Sequence, residues 1–98
     1  MSTDITQMQS RVKEFDRKHG WGKDKPSEIA LHMAEEVGEI AREILKEEGY
    51  KKEKPSREEL KGELMDLLYL TLKMANKYDV KLEKEWEKTL ERYSRRYG

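Results

Sequence analysis

The sequence predicts an all-α fold, a bundle of four helices. Apolar residues recur at three- and four-residue steps in four separate stretches. Both prolines fall near the starts of such stretches, and most glycines near their ends. No run of β-branched residues alternates with polar ones, so no strand is expected. The first helix is read from about Asp4 to Lys18. Thr3 or Asp4 can cap it, Ile5, Met8, Val12 and Phe15 form its apolar stripe, and Gly20 and Gly22 break it. The second opens after Lys25-Pro26-Ser27 and runs to about Glu48, with Gly49 as its stop and Ile29, Met33, Val37, Ile40 and Ile44 as its stripe. A lysine-rich linker, Tyr50 to Pro55, follows. Ser56-Arg57-Glu58-Glu59 reads as a capping box, the serine capping and Glu59 reaching back, and opens a third helix that ends near Tyr78. A turn through Asp79-Val80-Lys81 leads to the fourth, Leu82 to Tyr97, with Leu82, Trp86, Leu90, Tyr93 and Tyr97 on one face.

Ninety-eight residues make one domain, read as residues 1–98. Lys and Arg number 21 and Asp and Glu number 21, so there is no basic excess to drive nucleic-acid binding. The absence of cysteine excludes disulfides, thiolate metal sites and a cysteine nucleophile. No apolar run approaches the roughly 20 residues of a membrane span, and the first ten residues lack the order of a signal peptide. The expectation is therefore a cytoplasmic chain with no membrane partner. With only 35% apolar residues it buries a thin core alone, and oligomerisation would supply the missing burial.

Four acids stand out. Leu64 to Leu72 is apolar on nearly all sides, which predicts a buried helix, and Asp66 is its only charge. Glu63 lies one turn before it within the apolar stripe. On the second helix Glu36 interrupts the stripe between Met33 and Ile40, Glu39 lies three residues on, and Glu35 is adjacent. Carboxylates at such spacing point oxygens at one spot, and burying them ionised costs several kcal/mol or more each. Protonation, bases or a divalent cation could relieve them, and few bases share their faces. Magnesium or manganese suits oxygen ligands best, whereas calcium would draw on loop carbonyls. Zinc would want histidine, and only His19 and His32 exist. A di-iron bundle needs Glu-x-x-His pairs. Glu28 and His32 have the wrong step, and Asp16 and His19 sit at a helix end. The plainer reading of any single acid, Glu35 above all, is a solvated helix face.

Glu35-Glu36-Val37-Gly38-Glu39 followed by Glu63-Leu64-Met65-Asp66 resembles the EExxE…ExxD signature of the MazG-like all-α nucleotide pyrophosphohydrolases. The likeness runs from about Val12 to the C-terminus. It implies a MazG fold packed as a dimer or a dimer of dimers. It also implies hydrolysis of a nucleoside triphosphate to the monophosphate and pyrophosphate, in house-cleaning of the nucleotide pool. Glu36, Glu39, Glu63 and Asp66 would hold magnesium, with manganese as a substitute, and Glu35 would be an outer ligand, a second-metal ligand or a base that orients water. Lys73, Lys77, Lys88, Arg92 and Arg95 are candidates for the phosphates, Lys88 and Arg95 matching the family's tail best. Tyr93 stands where relatives often have asparagine. Trp21 could stack on a base or fold over the bundle end, Asn76 could hydrogen-bond the ligand or merely sit near a helix end, and Trp86 reads as core. Phosphoribosyl-ATP pyrophosphohydrolase is a rival within the class, although Leu70 replaces the histidine that often follows there. A non-catalytic helical module is the rival outside it.

Overall fold

The computed structural model describes residues 3–98. It holds α1 (Ile5–His19), a 3-10 turn (Trp21–Lys23), α2 (Pro26–Glu47), α3 (Arg57–Lys77) and α4 (Leu82–Tyr97). No strand occurs among the described residues. The four expected helices are present, each ending within a residue or two of the sequence reading.

Their ends follow from local chemistry. Asp4 rather than Thr3 caps α1: its carboxylate accepts the Gln7 N–H at 2.8 Å, and the Gln7 side chain accepts the Asp4 N–H at 3.0 Å. Gly20, at φ 74°, closes α1 in a left-handed turn that a Cβ would strain. Pro26 opens α2, and Glu28 accepts the Lys25 N–H at 3.0 Å. Two bonds end α2, Gly49 N–H to Lys46 O and Tyr50 N–H to Leu45 O, the pattern of a Schellman motif. The same pattern ends α3 through Asp79 N–H to Asn76 O and Val80 N–H to Ala75 O, but its left-handed residue is Asp79, at φ 53°.

The chain divides into two compact units. One comprises the residues up to Lys23 together with Leu72–Gly98. Gln9 ties it together: its amide donates to Val80 O at 2.9 Å and Asn76 Oδ1 at 3.0 Å, and its oxygen accepts the Leu82 N–H at 3.1 Å. Asn76 donates back to Gln9 O at 2.9 Å. Phe15, His19 and Trp21 stack at the far end of α1. The second unit is Asp24–Thr71, holding α2 and the greater part of α3. Arg57 and Glu47 pair across its connection at 2.9 Å.

The core is thinner than the apolar stripes suggest. Among the described residues the buried hydrophobic side chains are Val12, Ile29, Leu72 and Ala75. Trp86, expected in the core, is 58% exposed, and Leu90, Tyr93 and Tyr97 share its open face. Val37 and Ile44 on α2 and Leu64 and Met65 on α3 are exposed too, so the middle of α3 is not enclosed as its composition suggests. Periodicity locates apolar faces, but a single short chain lacks the surface to cover all of them. Among the described residues no helix is long and apolar enough to cross a membrane.

Gln9→Ala removes three side-chain bonds at once. A loss of about 1–3 kcal/mol is expected, since the groups left behind are partly buried. It is measured as the shift in urea midpoint against the unchanged protein.

Candidate metal centre

The acids of α2 and α3 meet within the Asp24–Thr71 unit as an antiparallel ladder. Glu43 and Glu59 bring carboxylate oxygens within 4.8 Å of each other. One turn earlier on α2 and one turn later on α3, Glu39 acts on the Glu63 carboxyl. A further turn along, the Asp66 charge acts on Glu36. Each backward step on α2 is matched by an equal forward step on α3, as two helices joined by a short connection require.

The ladder is electrostatically strained. Burial, then the charges of Asp66, Glu39 and Glu35, push the Glu36 carboxyl above its ordinary 4.5. Burial, then the hydrogen bond and charge of Glu39, do the same to Glu63, with Glu43 and Glu59 adding to it. Glu36 Oε2 and Glu63 Oε2 are buried and have no hydrogen-bond partner. Such atoms are rare in folded proteins and call for a cation or a proton. The residues therefore fit a hard divalent ion, which takes carboxylate oxygens. Beside them Glu43, Glu59 and Glu63 each offer an oxygen, all within 4.8 Å of one another, a spacing that can hold a divalent metal.

Asp66 departs from its expected setting. It lies on an exposed face, because Leu64 and Met65 beside it are uncovered. Glu35 and Glu39 are exposed as well, whereas Glu36 and Glu63 are half-buried. One base meets the ladder at its connection end, on an acid that the sequence reading did not single out. Lys46 donates to Glu43 at 2.8 Å with both side chains nearly enclosed. Glu43 also takes the Ser56 N–H at 2.9 Å, the bond that the sequence assigned to Glu59, while Ser56 Oγ caps the Glu59 N–H at 3.2 Å. Together the Lys46 and Ser56 bonds hold the Glu43 carboxyl below the usual carboxylate range. Sequence reasoning missed both Glu43 and Lys46. The signal was present: Glu43 is one turn beyond Glu39 on the same face, with a lysine three residues on.

The expected nucleotide contacts all belong to the other unit. Lys73 is 5% exposed and lies 3.7 Å from Asp16 and 5.8 Å from the Trp21 ring centre. Asn76 is engaged with Gln9 on α1. Both line a cleft of about 260 Å³ with Lys13, Arg17 and Lys77. Trp21 keeps much of its ring exposed. Lys88 and Arg95 are exposed on α4, away from the Trp86 face, and pair with Glu85 at 3.5 Å and Glu91 at 3.1 Å.

Fold and acids together define an all-α protein able to hold a divalent cation between two helices. A family model, the MazG nucleotide pyrophosphohydrolase domain, matches residues 24–98. The chain belongs to that family, and it is an enzyme of the pyrophosphohydrolase class. YpjD of Bacillus subtilis (strain 168), an uncharacterised protein, is 28% identical over 88 residues, covering 85% of this chain and 79% of its own. The crystal structure of YPJD from Bacillus subtilis, described as a candidate pyrophosphatase, is similar with a TM-score of 0.84. It covers 95% of this chain and 97% of that one at 23% identity, which establishes the shared fold.

The raised carboxyls set a pH dependence. A folded chain without metal binds more protons at Glu36 and Glu63 than the unfolded chain does, so stability falls as pH rises from 4.5 through their raised values. Glu14, Glu43 and Glu53, held below 4.5, act oppositely on the acid side. Melting temperatures of chelator-treated protein should therefore decline as pH rises above 4.5 toward neutrality. Glu36→Gln should flatten that decline, and saturating magnesium should remove it.

Proposed function

We propose that the chain hydrolyses a nucleoside triphosphate, ribose or deoxyribose, ordinary or modified, to the monophosphate and pyrophosphate. The observation that carries this reading is the pair of unpartnered buried oxygens, Glu36 Oε2 and Glu63 Oε2, on facing acidic helices. Glu36, Glu39, Glu63 and Asp66 hold magnesium, or manganese in its place. When bound, the cation neutralises triphosphate oxygens and polarises the α-phosphoryl group. Glu35, exposed beside Glu36, orients the attacking water and takes its proton. Water oxygen bonds to the α phosphorus, the bond from that phosphorus to the α,β-bridging oxygen breaks, and pyrophosphate leaves with the bond pair. The acids otherwise act by position, since phosphoryl transfer depends on placement and charge more than on covalent help.

Trp21 offers an indole face for the base, worth about 1–3 kcal/mol. Lys88 and Arg95 meet the phosphates. Lys73 and Asn76 contribute through the cleft that they line, their side chains held by Asp16 and Gln9. Residues 1–98 act as one domain in the cytoplasm, assembled as a homodimer or homotetramer, with no nucleic-acid or membrane partner. The uncovered faces of α2 and α4 support assembly, because open apolar stripes of this kind seek a second surface.

Pyrophosphate release, screened across triphosphates with magnesium and with manganese, tests the reading. Release that needs the metal is expected. Asp66→Ala and Glu36→Gln should each cost roughly a hundredfold or more in kcat/KM, while the metal-free variants melt no lower than the parent. If no triphosphate yields pyrophosphate, the assignment is wrong. Sedimentation at two concentrations should show two or four chains per particle.

A further inference from the structure

We propose that Glu43 is a positioning residue for this reaction: its carboxylate fixes the start of α3 against α2, so that Glu63 and Asp66 come opposite Glu39 and Glu36. The inference rests on the hydrolytic reading above but concerns a residue outside both acidic motifs. Glu43 is 4% exposed. Oε1 takes the Ser56 N–H at 2.9 Å, and Oε2 takes the Lys46 ammonium at 2.8 Å. Ser56 immediately precedes α3, whose first N–H groups have no partner within the helix. A carboxylate there satisfies one such donor and meets the positive end of the helix dipole. The bond is therefore a cap delivered by a neighbouring helix, and it joins α2 to α3 at one fixed pair of residues.

Register follows from that pair. Glu43 lies four residues after Glu39 and seven after Glu36; Ser56 lies seven before Glu63 and ten before Asp66. Sliding α3 by one residue moves each side chain about 1.5 Å along the axis and about 100° around it. A site must be held within about 0.5 Å to work, so one step breaks every rung. Glu43 lies close enough to Glu59 and Glu63 to share an ion with them, but both its oxygens already accept bonds, from the Ser56 N–H and from Lys46, whose charge meets that rung. Ser56 takes part in the fixation a second time, its Oγ accepting the Glu59 N–H at 3.2 Å.

Binding of manganese alone, followed by its electron paramagnetic resonance, separates positioning from ligation. Glu43→Ala should weaken the ion about ten- to hundredfold, as loss of supporting contacts does. Glu43→Gln, which keeps an acceptor for the Ser56 N–H, should return to within about threefold of the parent and restore its spectrum. Ser56→Pro against Ser56→Ala provides a second comparison should Glu43→Ala fail to fold. Only the proline lacks the N–H, so only it should show the weakening. Parental affinity in Glu43→Ala or Ser56→Pro overturns the inference. Equal loss in Glu43→Gln and Glu43→Ala overturns it in favour of direct ligation. A parent that binds manganese but hydrolyses no triphosphate sinks the hydrolytic reading alone, whereas a parent that binds none removes site and inference together.

Discussion

Like charges facing across a partly dry interface are the constraint on which this molecule is organised. Two helices present carboxylates to each other at successive turns. Coulomb repulsion and desolvation both oppose that arrangement, and neither can be relieved by packing alone. Both helices lie in the unit between Asp24 and Thr71 over the stretch where these acids face each other. At the connection end the answer is internal, an ammonium from the same helix and a backbone N–H from the next. Farther along, His32 acts on Glu36 only through its charge, and Glu36 Oε2 and Glu63 Oε2 have no hydrogen-bond partner. The contrast separates a carboxylate bonded within the chain from oxygens that only a cation or a proton could meet.

Much of this was legible in the residues. Helix ends are written locally, in Asp4, Gly20, Pro26, Gly49 and Ser56, and local signals need no knowledge of neighbours. The acids could be singled out because carboxylates interrupting an apolar stripe contradict the pattern around them. Two matters escaped. The Ser56 N–H goes to Glu43, thirteen residues away, because a neighbouring helix can outcompete a sequence-local partner. The burial of α3 was overstated, because composition records what a helix would cover and not whether a covering surface exists.

The other unit obeys a different logic. Its polar network is neutral where the ladder is anionic: two amides, Gln9 and Asn76, exchange bonds with each other and with the backbone of the α3–α4 turn. The enclosed charges there, Lys73 and Asp16, are opposite in sign and pair. Such a network is fully satisfied within the chain and specifies one packing without help from a bound group. Sequence reading took Lys73 as a candidate for the phosphates and Asn76 as a hydrogen-bonder to a ligand or a residue near a helix end. It could not see that α1 would supply partners to both, since those partners lie more than fifty residues away.

A last consequence concerns the connection between the two acidic helices. Residues 48–55 are exposed throughout. If alignment is enforced by a side chain of one helix reaching the amide just before the next, the peptide beyond the α2 stop at Gly49 and Tyr50 has little geometric duty besides spanning the gap. It becomes a tether, free to differ in length and composition while the acids stay opposite one another. Evolution, or an engineer, could graft an insertion there without disturbing the chemistry a few turns away.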